Sequence, residues 1–142
     1  MHLVIFGLSI SSSWGNGHAT LWRGLLKAMA RRGHTVTFYE KDVPYYASTR
    51  DGWPTPHGVR LRLYTSLDEI STEAAHDLDK ADVALCTSYC PDGPQASWLI
   101  LNSRACLKAF YDLDTPVTLD VLRSGSTAVS YTHLTLPTNR EV

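Results

Sequence analysis

A doubly wound parallel α/β sheet of about five strands in a single domain is the fold class predicted by three features of this 142-residue sequence. Short apolar runs alternate along the chain with segments of helical periodicity. The first run opens into a glycine-bearing polar loop that leads directly into a helix-like stretch. Each later run ends in residues typical of turns. The length suits one domain with a respectable core, and 44% hydrophobic and 19% charged residues fit a globular chain.

Taken in order, Leu3-Val4-Ile5-Phe6-Gly7 reads as a strand and Leu8 to His18 as a polar loop. From Ala19 to Arg32, Leu21, Trp22, Leu25, Leu26 and Met29 recur at spacings of three and four, which predicts a helix with one apolar stripe against the sheet. Arg23, Lys27, Arg31 and Arg32 fall largely off that stripe and read as solvated, the later ones complementing the helix dipole. Gly33 is a left-handed C′ residue, and Thr35 to Tyr39, closed by Glu40, is a second strand. Together these parts make a βαβ unit. Ligands of such sheets sit beyond the carboxyl ends of the strands, where Ser11 to His18 would lie.

Lys41 to Gly58 holds two glycines and three prolines and reads as a long connection of the kind that is functional or mobile. Its Tyr45, Tyr46 and Trp53 either stack on a sugar ring or cover the sheet edge, covering being the commoner use of aromatics. Val59 to Tyr64 alternates as a strand with one face less buried. Ser66 is placed to N-cap a helix, with Asp68 and Glu69 in its first turn, running to about Lys80. Asp82 to Thr87 is a short strand ending in the loop Ser88 to Pro94. A helix from about Gln95 to Asn102, a strand from Ala105 to Tyr111 and a last helix from Val117 to Arg123 complete the pattern. Pro116 stands at the first turn of that last helix.

Three strand ends converge as the candidate site: Ser11 to His18, Ser88 to Asp92, and Asp112 to Thr115. Trp14-Gly15-Asn16-Gly17-His18 brings glycines to a helix N-terminus, where free N–H groups favour anions. Seven residues separate Gly7 from Gly15, so the tight dinucleotide fingerprint is absent, as is any Gly-Lys-Ser/Thr of a Walker loop. NAD and ATP are therefore weak readings. His18 in the first turn should have its pKa lowered by the dipole, leaving a neutral imidazole fit to act as general base for a hydroxyl. The alternative is a histidine that only caps or packs. Asp112 and Asp114, two apart, would share one side of an extended segment and could hold a divalent cation, or simply belong to a capping loop. Asp92 in Pro91-Asp92-Gly93 is first a turn residue. Cys86 and Cys90 lack partners for a zinc site, so no metal is expected, and Cys86 reads as a core thiol.

A net charge of -1 and a pI near 6.6 argue against nucleic acid as partner. No apolar run suits a membrane span, the start does not read as a signal peptide, and three cysteines in no disulfide pattern suit a reducing compartment, so a cytoplasmic location is expected.

Four stretches give a resemblance: Phe6 to Thr20, Phe38 to Tyr46, Thr87 to Gly93, and Phe110 to Thr118. With them, Met1 to about Ala128 resembles the amino-terminal half of bacterial CgeB-like glycosyltransferases of GT-B architecture. The resemblance implies a Rossmann-like domain on the acceptor side of a cleft, with the nucleotide-sugar donor held mainly by a second domain that this chain does not carry. It implies His18 as catalytic base or acceptor contact, because Gly17-His18 stands where many GT-B enzymes have Gly-His in the first loop. Ser12, Ser13, Trp14, Gly15, Asn16, Gly17, Ser88, Asp92, Asp112 and Asp114 are the expected acceptor or donor contacts. GT-B chemistry generally needs no metal or other cofactor, and the partners implied are a sugar or other hydroxyl acceptor and a nucleotide sugar. Val129 to Val142 resembles the translation of a sequencing-adapter read-through and is expected to be a non-native tail. The competing class is a non-catalytic flavodoxin-like module that binds a small ligand.

Overall fold

The structure, a computed structural model, describes residues 1–124. The expected native end near Ala128 and the tail 129–142 lie outside the described residues. The elements follow in the order β1 (His2–Gly7), α1 (Gly17–Arg31), β2 (Thr35–Lys41), α2 (Pro44–Ala47), β3 (Val59–Tyr64), α3 (Leu67–Asp79), β4 (Val83–Thr87), α4 (Gly93–Leu101), β5 (Leu107–Tyr111) and α5 (Thr115–Ser124). All strand pairs are parallel, in the spatial order β3-β2-β1-β4-β5. This is the doubly wound, Rossmann-like arrangement expected. The flavodoxin order, 2-1-3-4-5, is not the one adopted.

Alternation along the strands splits the core into two layers. Leu3, Ile5, Val36 and Phe38 pack with Trp22 and Leu26 of α1, while Val4, Phe6, Tyr39 and Tyr64 pack with Ile70, Ala74 and Leu78 of α3 and Ile100 of α4. The last residue of β1 is a glycine for a steric reason. A Cβ on Gly7 would lie 2.4 Å from Cζ of Phe38.

Helix α1 begins at Asn16, whose side-chain oxygen accepts from Ala19 N at 3.3 Å. It ends as predicted at Gly33 (φ 76°), where Gly33 N donates to Ala30 O and His34 N to Met29 O, the paired bonds of a Schellman motif. Its buried row is narrower than expected. Ala19, Trp22 and Leu26 face the sheet, whereas Leu21 and Leu25 are 42% and 41% exposed. Each lies one residue, about 100° of helix, away from the buried row. Arg23 also departs from the solvated reading. It donates to Ile10 O at 2.8 Å and to both Asp51 oxygens at 2.9 and 2.7 Å, with its guanidinium carbon 5.1 Å from the Trp53 ring centre.

The long connection contains the single-turn α2 and folds back on the first loop rather than standing free. Edge strand β3 buries Val59 and Tyr64 while Arg60 and Arg62 pair with Glu73 and Asp77 of α3. Ser66 occupies the N-cap of α3 with extended backbone but makes no side-chain cap bond. Glu69 instead reaches back to Thr65 N at 3.3 Å and Thr65 Oγ1 at 2.5 Å. Helix α4 starts two residues before the expected Gln95, β5 two residues after the expected Ala105, and α5 two residues before the expected Val117. Cys86 and Cys90 are buried free thiols and Cys106 is an exposed one. Among the described residues no helix is long and apolar enough to cross a membrane.

Candidate functional site

The chain winds outward from β1 through β2 to β3, then crosses to β4 and β5 on the other side of β1. The loops after β1 and β4 therefore diverge at the topological switch point, where sheets of this kind leave a crevice at their carboxyl edge. An open cleft of about 290 Å³ lies there, lined by Leu8, Gly15, Asn16, Gly17, His18, Tyr46, Tyr89 and Asp114.

One wall is the loop from Leu8 to Asn16, and its shape follows from where its polar groups find partners. Ser9 Oγ and Ser11 Oγ donate to Oε1 of Glu40 at 2.9 and 2.5 Å, and the N–H groups of Ile10 and Ser11 donate to Oε2 at 2.8 and 3.0 Å. Glu40 ends opposite Gly7 in the ladder and has no exposed surface. In dinucleotide-binding sheets an acid on from the glycine loop takes the ribose hydroxyls. Here both carboxylate oxygens are spent on the loop itself, which reinforces the argument against NAD. Further along, Ser12 Oγ donates to Thr49 O at 2.9 Å, and Ser13 N and Oγ donate to Asp51 at 3.3 and 2.6 Å. Bonds from Arg23 and Ser13 hold the Asp51 carboxyl well below the usual carboxylate range. Asn16 Nδ2 donates to the carbonyls of Ser9 and Ser12 at 3.2 and 3.3 Å, tying the loop to the helix start.

His18 is the second residue of α1 and presents its ring to the cleft. Its imidazole meets the Tyr89 ring edge to face at 5.3 Å, and its buried Nδ1 has no hydrogen-bond partner. The imidazole pKa is lowered, the direction expected, but burial and not the helix dipole is the leading cause; the Asp114 carboxylate opposes it by favouring the charged form. The capping task considered for His18 belongs to Asn16.

The opposite wall comes from the loops after β4 and β5. Tyr89 holds a left-handed backbone (φ 62°), the one non-glycine among the described residues to do so. Such strain concentrates at functional sites. Its hydroxyl donates to Asp114 Oδ2 at 2.9 Å. Tyr46 closes the third side, its phenol pushed up first by burial and then by Tyr45 and Glu40.

Of the expected contacts, Gly15, Asn16, Gly17, His18 and Asp114 are brought together in the cleft. The others are placed elsewhere. Ser12 is fully buried and consumed by Thr49, Ser13 by Asp51, and Trp14 stands 70% exposed outside the lining. Ser88 is buried and accepts from Leu113 N at 2.9 Å, which makes it a brace for the loop after β5. Asp92 is the N-cap residue of α4 and pairs with Lys41 at 2.9 Å. Asp112 and Asp114 serve different hydrogen-bond partners. Asp112 turns back to accept from Thr118 Oγ1 at 2.7 Å and from Asp114 N at 3.2 Å. Burial pushes its carboxyl up, and these bonds outweigh that and hold it low. Helix α5 begins at Thr115 and Asp112 bonds into its first turn, so the extended segment that would pair the two acids is not formed. Among the described residues no group of three or more His, Cys, Asp or Glu could hold a metal ion.

Of the three aromatics weighed in the sequence, Tyr46 lines the cleft, Trp53 packs against the α1 layer, and Tyr45 is exposed. Tyr89 and Glu40 carry no sequence signal for their roles beyond lying at strand ends. No family model, curated protein or solved structure matches the chain, so its functional reading rests on the cleft.

Proposed function

We propose that this chain is the acceptor-side domain of a glycosyltransferase of GT-B type, similar to CgeB-like enzymes, which moves a sugar from a nucleotide donor to an acceptor hydroxyl. The observation that supports the reading most is a neutral-leaning imidazole, His18, held beside the Asp114 carboxylate in a cleft at the switch point of the sheet. In this mechanism the acceptor hydroxyl enters between His18, Tyr46 and Tyr89. His18 takes its proton as the oxygen forms a bond to the anomeric carbon, and the donor's nucleotide departs with the electron pair of the broken C–O bond. Asp114 favours the imidazolium that results, and aromatic side chains on two sides suit the apolar face of a sugar ring. The donor itself is assigned to a second domain, as the resemblance implies.

Titration of the chain with simple saccharides, nucleotide sugars and NAD, followed through the ring resonances of His18 and Tyr89, tests the reading. Saccharides should perturb both rings and NAD neither. A response to NAD alone, or to none of the three, would overturn it. Residues 1–142 by themselves should turn over no nucleotide sugar.

A further inference from the structure

Among the described residues Glu40 is the one charged side chain with no exposed surface, and all four of its hydrogen bonds go to residues 9–11. From there a continuous run of bonds reaches the cleft. Ser9, which donates to Glu40 through Oγ, accepts from Asn16 Nδ2 through its carbonyl at 3.2 Å; Asn16 in turn caps α1 at Ala19 N, and His18 lies inside that first turn. A second branch leads outward, since Arg50 Nε donates to Ser11 Oγ at 3.3 Å and Arg50 Nη2 pairs with Asp42 at 2.5 Å.

We infer that Glu40 is a positioning residue: it sets the 9–16 loop against the end of β2 and thereby fixes where His18 stands on the rim of the cleft. The inference rests on the His18 assignment above, though its readout needs no turnover. What matters is the reach of the side chain, not its charge. One carboxylate oxygen takes two hydroxyls and the other takes two backbone amides. A glutamine keeps the links to the loop, because its carbonyl oxygen accepts from the two amides and its NH₂ donates to the serine oxygens, which then accept in place of donating. An aspartate, one methylene shorter, leaves donors unmet unless the loop moves toward β2. Two of those donors are backbone N–H groups in the core, which do not tolerate being left unpaired.

The test compares Glu40→Gln with Glu40→Asp in the full chain. Backbone amide shifts of β1, β2 and β4 report the fold. The His18 titration midpoint and its rate of modification by diethyl pyrocarbonate report its placement. Glu40→Gln should leave both His18 readouts at their wild-type values. Glu40→Asp should move the midpoint and change the modification rate several-fold while the sheet amides stay put. An unmoved His18 in Glu40→Asp, with only a lower melting temperature, overturns the inference, and so does a Glu40→Gln that behaves like the aspartate. Should Glu40→Asp not fold, Ser9→Ala removes one hydroxyl bond to Glu40 while keeping the carbonyl that binds Asn16, and must move His18 in the same sense; if it does not, the inference fails. Saccharides that leave wild-type His18 unperturbed would refute glycosyl transfer while leaving this comparison intact.

Discussion

Substituting Asp51 by alanine should be the most costly single change at the surface of this fold. The carboxylate accepts five bonds: two from Arg23, at 2.9 and 2.7 Å, two from Ser13, at 3.3 and 2.6 Å, and one from Trp53 N, at 3.3 Å. An exposed ion pair contributes about 0.2–1 kcal/mol, and a buried bond to a charged group about 1.5–3 kcal/mol. The Asp51 side chain is 34% exposed and that of Arg23 14%, so solvent screening places the sum well below the buried limit. Roughly 2–3 kcal/mol is then the expected loss for Asp51→Ala, which for a chain of this size lowers Tm by about 6–10 °C. A double-mutant cycle with Arg23→Ala, read by urea denaturation, should give a coupling of about 1 kcal/mol, because Arg23 keeps its bond to Ile10 O and its place over Trp53. The stabilisation also has a defined pH dependence. The Asp51 pKa is depressed on folding from its ordinary 3.8, so its contribution is complete above that value and is lost as pH falls toward the lowered one. A Tm within 2 °C of wild type, or a coupling near zero, would refute the claim that this carboxylate staples the long connection to the first loop.

Other substitutions follow from single contacts. Gly7→Ala drives a methyl into the Phe38 ring and should destabilise by about 1–3 kcal/mol, with Gly7→Ala/Phe38→Leu recovering part of the loss in the same urea assay. Tyr89→Gly relieves a left-handed backbone worth about 1 kcal/mol, so stability should hold or rise while saccharide-induced shifts at His18 disappear. A drop of more than 2 kcal/mol in that variant would mean that Tyr89 serves packing and not the cleft. Because burial lowers the His18 pKa below its ordinary 6.5, protonating it disfavours the fold; stability from this group is present above that pH and declines as pH falls, a slope that His18→Gln should remove.

The sheet was legible in the sequence because fully buried parallel strands leave short apolar runs between helical periods, as Leu3 to Gly7 and Asp82 to Thr87 do. The cleft was half legible. Gly17 and His18 reveal themselves by adjacency to a helix start, a local signal. Ser12 and Ser13 are expected contacts by the resemblance alone, and their partners Thr49 and Asp51 lie 37 and 38 residues on, beyond any local rule. Arg23 reads as solvated for the same reason, its carboxylate partner being 28 residues away. Parity placed Asp112 beside Asp114 only on the premise of extended backbone, and a helix starting at Thr115 removes that premise. Tyr89 is strained by its surroundings, and nothing in Ser88-Tyr89-Cys90 announces a positive φ.

Recording the His18 imidazole resonances across pH, in the wild-type chain and in Asp114→Asn, probes most directly whether a base is poised in the cleft. The wild-type midpoint should lie below 6.5 and should fall further in Asp114→Asn, because the carboxylate that favours the imidazolium has been neutralised. A wild-type midpoint at or above 6.5, or one that ignores the loss of Asp114, would contradict the assignment of His18 and Asp114 as partners in proton transfer.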